Sequence, residues 1–262
     1  MLAVAAMLAV CVIGYLLMAY VVLPALWTHY EHQPGLRGRP MTTVTGQGIP
    51  GDPLNVGLVG SKAEIVKALR LAGWYPADPI TLKTSIEIAE SVLLHRSYPD
   101  APVSNLFYDG RQQDLAFEKP VGGSADERHH VRLWMIQGFE FRAVWLGSAT
   151  FDRGVGISHF TGQITHHIAA DIDAERDFFV AELSRAGVLI QIYQVSGIGP
   201  TMSGRNGGGD RYFTDGEITV GVVRPDAVAQ GGLPEVLPSP TPVELKNTIW
   251  STVKNLLARL GT

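Results

Sequence analysis

The distribution of hydrophobic residues divides the chain into an apolar N-terminal stretch, a mixed central region and an amphipathic C-terminal end. Residues 1–27 contain no charged side chain, and about 20 apolar residues suffice to span the hydrocarbon core of a bilayer. Tyr20, Trp27 and Tyr30 stand near the end of this stretch, as interfacial aromatic residues do. A cleaved secretory signal is the alternative, but the run is long for one and lacks a basic N-terminal region. We therefore expect an uncleaved transmembrane anchor over 1–27.

Two further segments flank the region that is patterned for folding, which spans residues 54–232. Residues 28–53 are rich in Gly, Pro and Thr and are expected to be a tether. Residues 233–242 carry four prolines, which cannot continue a helix or a sheet, and are expected to be a linker. Residues 243–262 follow as an amphipathic helix with an apolar face. That face comprises Leu245, Ile249, Trp250, Val253, Leu256, Leu257 and Leu260.

The C-terminal helix has two interpretations. It could dock on its own domain or on a protein partner. Alternatively, it could lie on anionic lipid, because Lys246, Lys254 and Arg259 occupy the rest of its surface.

Three helices are predicted within residues 54–232. Ser61 and Glu64 form the capping-box pattern before a helix over Lys62–Ala72, and Gly73 is placed to end that helix. A second helix is expected over Thr84–Leu94. A third covers Asp173–Ala186, with Asp173 as its N-cap and Gly187 after its end.

The remaining patterned segments alternate as strands do. They are Asn55–Val59, Leu106–Phe117 with a turn at Asp109-Gly110, His129–Ile136, Ala143–Phe151, Ile164–Ala169, Leu189–Val195 and Ile218–Val223, the last preceded by a second turn at Asp215-Gly216. This mixture predicts an α+β domain, with a mixed, largely antiparallel sheet and helices on one face. The similar helix ends at residues 69–73 and 183–187 raise the hypothesis of a duplicated β-α-β-β unit.

Composition narrows the classes of function. The 262 residues carry 21 Lys and Arg against 25 Asp and Glu, a net charge of −4, whereas a nucleic-acid-binding domain normally has a basic excess. We therefore expect no nucleic-acid partner. Cys11 is the only cysteine, which excludes an intrachain disulfide and a cysteine-based zinc site.

Histidines and charged residues cluster on the predicted strands. Because side chains alternate across a strand, His166 shares a face with Ile164 and Ile168 and is expected to be a core residue. His167 then points to the polar face with Thr165. On the earlier strand His130 aligns with Arg132. We expect His130, Arg132, Thr165 and His167 to converge if the two strands are close.

The candidate site also includes Asp152, Arg153 and His159. An imidazole could exchange protons near neutral pH, an arginine could hold a phosphate or carboxylate, and Asp152 could orient a histidine. His130, His167 and Asp152 form a set that could ligate a divalent metal. The spacing matches no known zinc, phosphate-loop or nucleophile-elbow motif. A polar strand face that bonds to loops is an equally good interpretation.

The glycine-rich loop over residues 196–211 is a second candidate. Its Gly207, Gly208, Gly209 and Asp210 could bring backbone N–H groups close to an anion. A mobile surface connection is the simpler interpretation.

A series of motifs resembles a known family. Those motifs are Asp52-Pro-Leu-Asn-Val-Gly-Leu-Val-Gly60, Arg128-His-His-Val-Arg132, Thr150-Phe-Asp-Arg-Gly-Val-Gly156, Gly162-Gln-Ile-Thr-His-His167, Asp173-Ala-Glu-Arg-Asp177 and Asn206-Gly-Gly-Gly-Asp210. Over about residues 50–224 the chain resembles the LssY C-terminal domain family of bacterial proteins. The resemblance implies a role at the cell envelope, around lipid phosphates, because this domain occurs fused to membrane proteins and to phosphatidic acid phosphatases. It implies no catalytic residues.

The leading hypothesis is a membrane-anchored envelope domain that binds an anionic ligand, lipid-like or phosphate-like, or an envelope membrane protein. One rival is a hydrolase of phosphate esters, with His167 as acid/base and Asp152 as its orienter or a metal ligand. The other is a structural accessory of a secretion or transport system. We expect a single pass in the bacterial inner membrane with the domain on the periplasmic side, although Arg37 and Arg39 after the span favour the cytoplasm.

Overall fold

The computed structural model describes residues 2–23, 39–77, 105–122, 127–139, 142–160, 162, 164–195, 203–227 and 232–260. The expected helix over Thr84–Leu94 lies outside these residues, as do Trp27 and Tyr30.

The N-terminal apolar stretch is helical. An α-helix, α1, covers Leu2–Leu17 and continues as a π-helical turn over Met18–Val22. Residues Ala3–Val22 have a mean hydropathy of 2.4, and the helix is long and apolar enough to cross a membrane. This finding is consistent with the single-pass anchor expected from the sequence.

A nine-stranded sheet forms the centre of the folded domain. Its strands are β3 (Val56–Val59), β4 (Tyr75–Pro76), β7 (Leu115–Pro120), β8 (Glu127–Phe139), β9 (Arg142–Ile157), β10 (Ile164–Ile168), β11 (Leu189–Val195), β14 (Ile218–Val223) and β15 (Glu235–Val236). Their order is β15-β11-β14-β3-β9-β8-β7-β4, and β10 pairs with β9 beside this path. The pairing is antiparallel except at β14–β3 and β11–β15.

A second sheet forms where the tether was expected to end. Strands β1 (Thr42–Thr45) and β2 (Pro50–Pro53) pair with each other, and β1 also pairs with β5 (Leu106–Tyr108), which pairs with β6 (Arg111–Gln112). Gly51 and Asp52 are buried, and Thr43 donates to the carbonyl of Asp52 at 2.8 Å. The expectation of a tether over 28–53 is therefore wrong for its last dozen residues, because Gly, Pro and Thr here build a short hairpin.

Two helices cover one face of the central sheet. Helix α2 (Lys62–Leu71) has both bonds of the Ser61–Glu64 capping box, and Gly73 follows its end at φ 79°. Helix α3 covers Ile172–Arg185. Their apolar side chains pack on alternate residues of the sheet, in a core that includes Ile65, Leu69, Phe179, Leu183, Val131, Leu133 and Trp145.

The opposite face of the sheet is covered by the small sheet. Leu54, Leu106 and Tyr108 pack there against Trp134, Leu146, Ile218 and Val220. The domain therefore has three layers: helices, central sheet and small sheet. The even-numbered polar residues of β8 are enclosed between the two sheets, where the candidate site lies.

Three local expectations are corrected. Asp171, not Asp173, caps α3, since its side chain accepts from the Ala174 N–H at 3.1 Å. Within the linker at 233–242, β15 pairs in parallel with β11. The turn at Asp215-Gly216 does not join a hairpin, because the strand before it, β13 (Arg211–Phe213), pairs with β12 (Ser203–Arg205) instead of β14.

The α+β class is confirmed, with a mixed, largely antiparallel sheet that carries helices α2 and α3 on one face. The duplicated β-α-β-β unit remains a prediction. The C-terminal helix α4 covers Thr241–Leu260 and packs on the domain through Val243 and Trp250, which are both buried.

Candidate functional site

A cavity of about 460 Å³ lies between the small sheet and one end of the central sheet. Ligand pockets of drug-sized molecules have volumes of this order. Its walls come from the β1–β2 hairpin, the start of β5, strands β8, β9 and β10, and the loop after β12. The polar lining residues are Thr45, Gln47, Asp52, Asn105, Arg128, His130, Arg132, Asp152, Ser158, Thr165, His166 and Asn206.

Strand alternation explains why charged residues form the cavity floor. Arg128, His130 and Arg132 occur at every second position of β8 and so project from the same face. Their direct partners on β9 are Asp152, Thr150 and Ser148. All six residues are buried.

The buried charges form a continuous network. Arg132 donates to Asp52 at 2.9 Å and contacts His130 Nε2 at 2.7 Å. On the other side of the ring, His130 Nδ1 lies 3.1 Å from Asp152 Oδ2. Arg128 links two carboxylates: its Nε donates to Asp152 Oδ2 at 3.0 Å, and its Nη1 donates to Glu118 Oε2 at 2.6 Å. Burial lowers the pKa of His130, but the charge of Asp152 and the contacts with Asp152 and Asp52 outweigh burial and the charge of Arg132, so this pKa lies above its ordinary value.

The two aspartates stay ionised in this setting. Burial alone would raise the pKa of Asp52, but His130 and the charge of Arg132 hold that pKa below its ordinary value. Burial opposes ionisation of Asp152 too, and the contact with His130, together with the charge of Arg128, keeps the pKa of Asp152 below its usual range. Among the residues that the structure describes, none donates to Asp152 Oδ1, although this oxygen is buried. A buried carboxylate oxygen without a donor is costly, so it indicates a place for a ligand or a water.

His166 lines the cavity beside this network. Burial lowers the pKa of His166 to about 4, and the nearby charges of Arg128 and His130 add to the effect against the opposing charge of Asp152. The ring is therefore neutral at pH 7. The sequence placed His166 correctly on the face of Ile168, but that face borders the cavity instead of the core.

The neutral state of His166 makes stability depend on pH. The pKa of His166 is about 4 in the folded protein and about 6.5 in an unfolded chain, so the unfolded state binds more protons between these values. We expect up to about 3 kcal/mol of stability, present above pH 6.5, to be lost as the pH falls to 4. Urea unfolding across this range should show a smaller loss in His166→Gln. The exchange His159→Gln, at an exposed residue, is the control and should keep the wild-type slope; an unchanged slope in His166→Gln would contradict the assignment.

Residues 206–210 of the glycine-rich loop close the cavity as an ordered turn between β12 and β13, whereas residues 196–202 lie outside the described part of the chain. Asn206 Oδ1 accepts from the N–H groups of Gly208 at 3.0 Å and Asp210 at 2.9 Å, and the Gly209 N–H donates to the Asn206 carbonyl. Asn206 Nδ2 also reaches Asp52 Oδ1 at 3.3 Å. The expectation that these N–H groups cradle an anion is corrected, because the turn itself uses three of them. Gly207 and Gly208 do line the cavity.

A separate cluster lies on the outer side of this loop. His167 Nδ1 bonds to Asp210 Oδ1 at 2.8 Å, and the rings of His159 and His167 are 5.7 Å apart. Arg153 is exposed and lies 3.9 Å from Asp210. Gly209 has a φ of 89°, and a Cβ there would lie 2.7 Å from the Cβ of His159, so only glycine fits this position.

The predicted site residues therefore fall into two groups. His130, Arg132, Asp152, Thr165, Gly207 and Gly208 border the cavity, whereas Arg153, His159, His167 and Asp210 lie in the outer cluster. The expected convergence of His130 with His167 is corrected, because His167 points away from the face of β10 that carries His166. The hydrolase hypothesis requires an imidazole that is oriented by a carboxylate. His167 is such an imidazole, but the carboxylate that orients it belongs to Asp210, whereas Asp152 was expected in this role.

Sequence reasoning missed Asp52, Glu118 and Arg128 as members of the buried network and His166 as a lining residue of the cavity. The every-second-residue spacing from Arg128 to Arg132 was a usable signal for Arg128. Asp52 gave no such signal, since it follows Pro50 and Gly51 in a segment whose composition resembles a tether.

The proposed metal ligands are not assembled as a set. Within the described parts of the chain, no three His, Cys, Asp or Glu side chains are placed to hold a metal ion together. His130 and Asp152 contact each other and two guanidinium groups, which would oppose a cation.

A family model described as LssY C-terminus matches residues 31–218. No curated protein and no solved structure matches the chain. The matched range contains all of the cavity residues named above, whereas α1 and α4 lie outside it.

Proposed function

The chain belongs to the LssY C-terminus family, and on that premise we propose that it is a membrane-anchored envelope domain whose cavity binds a small, phosphate-bearing polyol. The proposal includes the bacterial cell membrane as its location and the extracytoplasmic side for the domain. The apolar helix α1 supports the anchor. Cys11 is the only cysteine of the chain and lies in α1, so the folded domain contains none. A cysteine-free domain is compatible with an oxidising compartment.

The observation that carries the binding proposal is a cavity of about 460 Å³ with an ionised, buried floor. The ion pairs of the floor are buried and involve Asp52, Asp152, Arg128 and Arg132. Such pairs add little net stability compared with apolar residues of similar size, because the free-energy cost of desolvating the charges is about as large as their attraction. Such a network is more readily explained by ligand recognition than by folding alone.

The chemistry of the lining indicates what the ligand carries. Arg128 and Arg132 border the cavity and are suited to phosphate oxygens. Asp152 Oδ1, which lacks a donor among the described residues, suits a hydroxyl group. Arg128 and Arg132 are already bonded to the carboxylates of Asp152, Glu118 and Asp52, so an anion alone would meet carboxylates as well as guanidinium groups. A ligand with a phosphate and a hydroxyl can contact both the guanidinium groups and the carboxylates of the floor. Gln47, Asn105 and Ser158 also line the cavity, and their amide and hydroxyl groups suit further hydroxyls of the ligand.

Thermal unfolding of the detergent-solubilised chain tests this proposal with three probes: glycerol 3-phosphate, inorganic phosphate and glycerol. Glycerol 3-phosphate should stabilise most, because it offers both groups. At a hundredfold excess over Kd, binding adds about 2.7 kcal/mol, which raises Tm by roughly 5–10 °C for a domain of this size.

Arg132→Lys is the diagnostic variant, since it keeps the charge beside Asp52 and removes the planar fork. We expect it to reduce the glycerol 3-phosphate shift by more than half. Arg142→Lys, outside the cavity, should keep the full shift. If no probe stabilises the wild type, or if Arg132→Lys responds like the wild type, the binding proposal is wrong.

A further inference from the structure

Helix α4 docks on the domain with two lysine side chains turned inward. Lys246 pairs with Glu217, and Lys254 lies 2.9 Å from Asp171. Between them, the buried indole of Trp250 donates to Asp173 Oδ2 at 3.3 Å. These contacts fix which side of α4 faces the domain.

The outward side of α4 is an apolar stripe. Four side chains at helical spacing remain exposed by large fractions: Leu245 by 61%, Ile249 by 58%, Val253 by 39% and Leu256 by 58%. At 1.5 Å per residue the stripe is roughly 16 Å long. Thr248, Thr252 and Asn255 flank it and carry no charge. A helix that docks through lysines and exposes leucines reverses the usual pattern of a surface helix.

The chain itself supplies a surface for this stripe. The proposed anchor α1 ends at Leu23, and the described domain begins at Arg39. Whatever path the intervening residues take, they span at most about 55 Å. The domain therefore stays within reach of the bilayer, which greatly raises the effective concentration of that surface.

Lipid fits the stripe better than a second copy of the chain does. Four aliphatic side chains expose a few hundred Å², a patch of the size that marks an interaction site, whereas a stable protein interface buries about 800 Å² on each partner. The mode of binding differs from the expectation of anionic lipid, because Lys246 and Lys254 are already paired with carboxylates of the domain.

We propose that α4 lies flat on the membrane, with Leu245, Ile249, Val253 and Leu256 inserted at the boundary of the acyl chains. The binding is driven mainly by apolar burial, because two of the three basic residues of α4, Lys246 and Lys254, are already paired with the domain. The inference rests on the membrane anchoring in the proposed function. It orients the domain, since it fixes which side of α4 faces the bilayer.

A fluorescent label at Ile249 tests the inference in the full chain. Cys11→Ser removes the only cysteine, and Ile249→Cys then carries a single environment-sensitive dye. The matched control carries the dye at Lys62→Cys, an exposed residue of α2. Each protein is reconstituted into phosphatidylcholine vesicles and into vesicles that contain phosphatidylglycerol, with brominated phospholipid or aqueous iodide as quencher.

Brominated lipid should quench the dye at 249 several-fold more than the dye at 62 in both vesicle types, and iodide should show the reverse order. The inference is overturned if iodide quenches both dyes alike, or if neither quencher reaches position 249, which would indicate a protein partner. Flotation of the vesicles after alkaline carbonate extraction reports the anchor separately. Chain lost at that step would refute the anchoring, whereas retained chain with a water-exposed dye refutes the placement of α4 alone.

Discussion

Arg128→Met is expected to lower the free energy of unfolding by about 3–5 kcal/mol, because it leaves buried carboxylates without their counter-charge. Glu118 has 0% of its side chain exposed, and Arg128 contacts it at 2.6 Å. The same guanidinium binds Asp152 at 3.0 Å. Methionine fills a similar volume, so the loss would report charge and hydrogen bonding instead of a cavity. Urea unfolding of the detergent-solubilised chain, followed by tryptophan fluorescence, measures the change.

Arg111→Met is the matched control for Arg128→Met. Arg111 pairs with Asp114 at 2.9 Å, but its side chain is 54% exposed, and exposed pairs contribute about 1 kcal/mol or less. If Arg128→Met costs no more than Arg111→Met, Glu118 and Asp152 do not depend on Arg128 for their counter-charge, contrary to the contacts in the structure.

Thr165→Trp is expected to abolish ligand binding while the domain stays folded. Thr165 is a half-buried residue of β10 on the cavity wall. The methyl group of Thr165 lies close to Gly208 on the opposite wall. An indole at this position would fill the space over the floor without removing any member of the charge network. We expect the affinity for glycerol 3-phosphate to fall at least tenfold, a change of about 1.4 kcal/mol.

The control for Thr165→Trp is Thr241→Trp, the same exchange at an exposed residue at the start of α4. Isothermal titration of each variant with glycerol 3-phosphate gives the comparison. Full affinity in Thr165→Trp would show that the ligand binds elsewhere on the chain.

Period-two alternation predicted much of the fold and part of the site. It placed β8, β9 and β10 and assigned His130 and Arg132 to one face, as the structure has them. It could not show what lies opposite each face. His166 was expected in the core because it shares its face with Ile168, yet that face borders a cavity whose other walls come from distant parts of the chain, at Asp52 and Asn206.

The segments that the sequence misjudged share a physical cause. Residues 42–53 and 204–210 are rich in glycine or proline, which predicts loops, but tertiary contacts order both. Asn206 donates to Asp52 and organises its own turn. A single-residue property cannot reveal such a bond, because its two ends are 154 positions apart.

The cavity is expected to bind one molecule of a phosphate-bearing polyol per chain. Native mass spectrometry of the full chain, released from detergent in the presence of millimolar glycerol 3-phosphate, tests it most directly. We expect one bound molecule per chain in the wild type and in Thr241→Trp, and none in Thr165→Trp. Equal occupancy in all three proteins, or no bound molecule in the wild type, would contradict it.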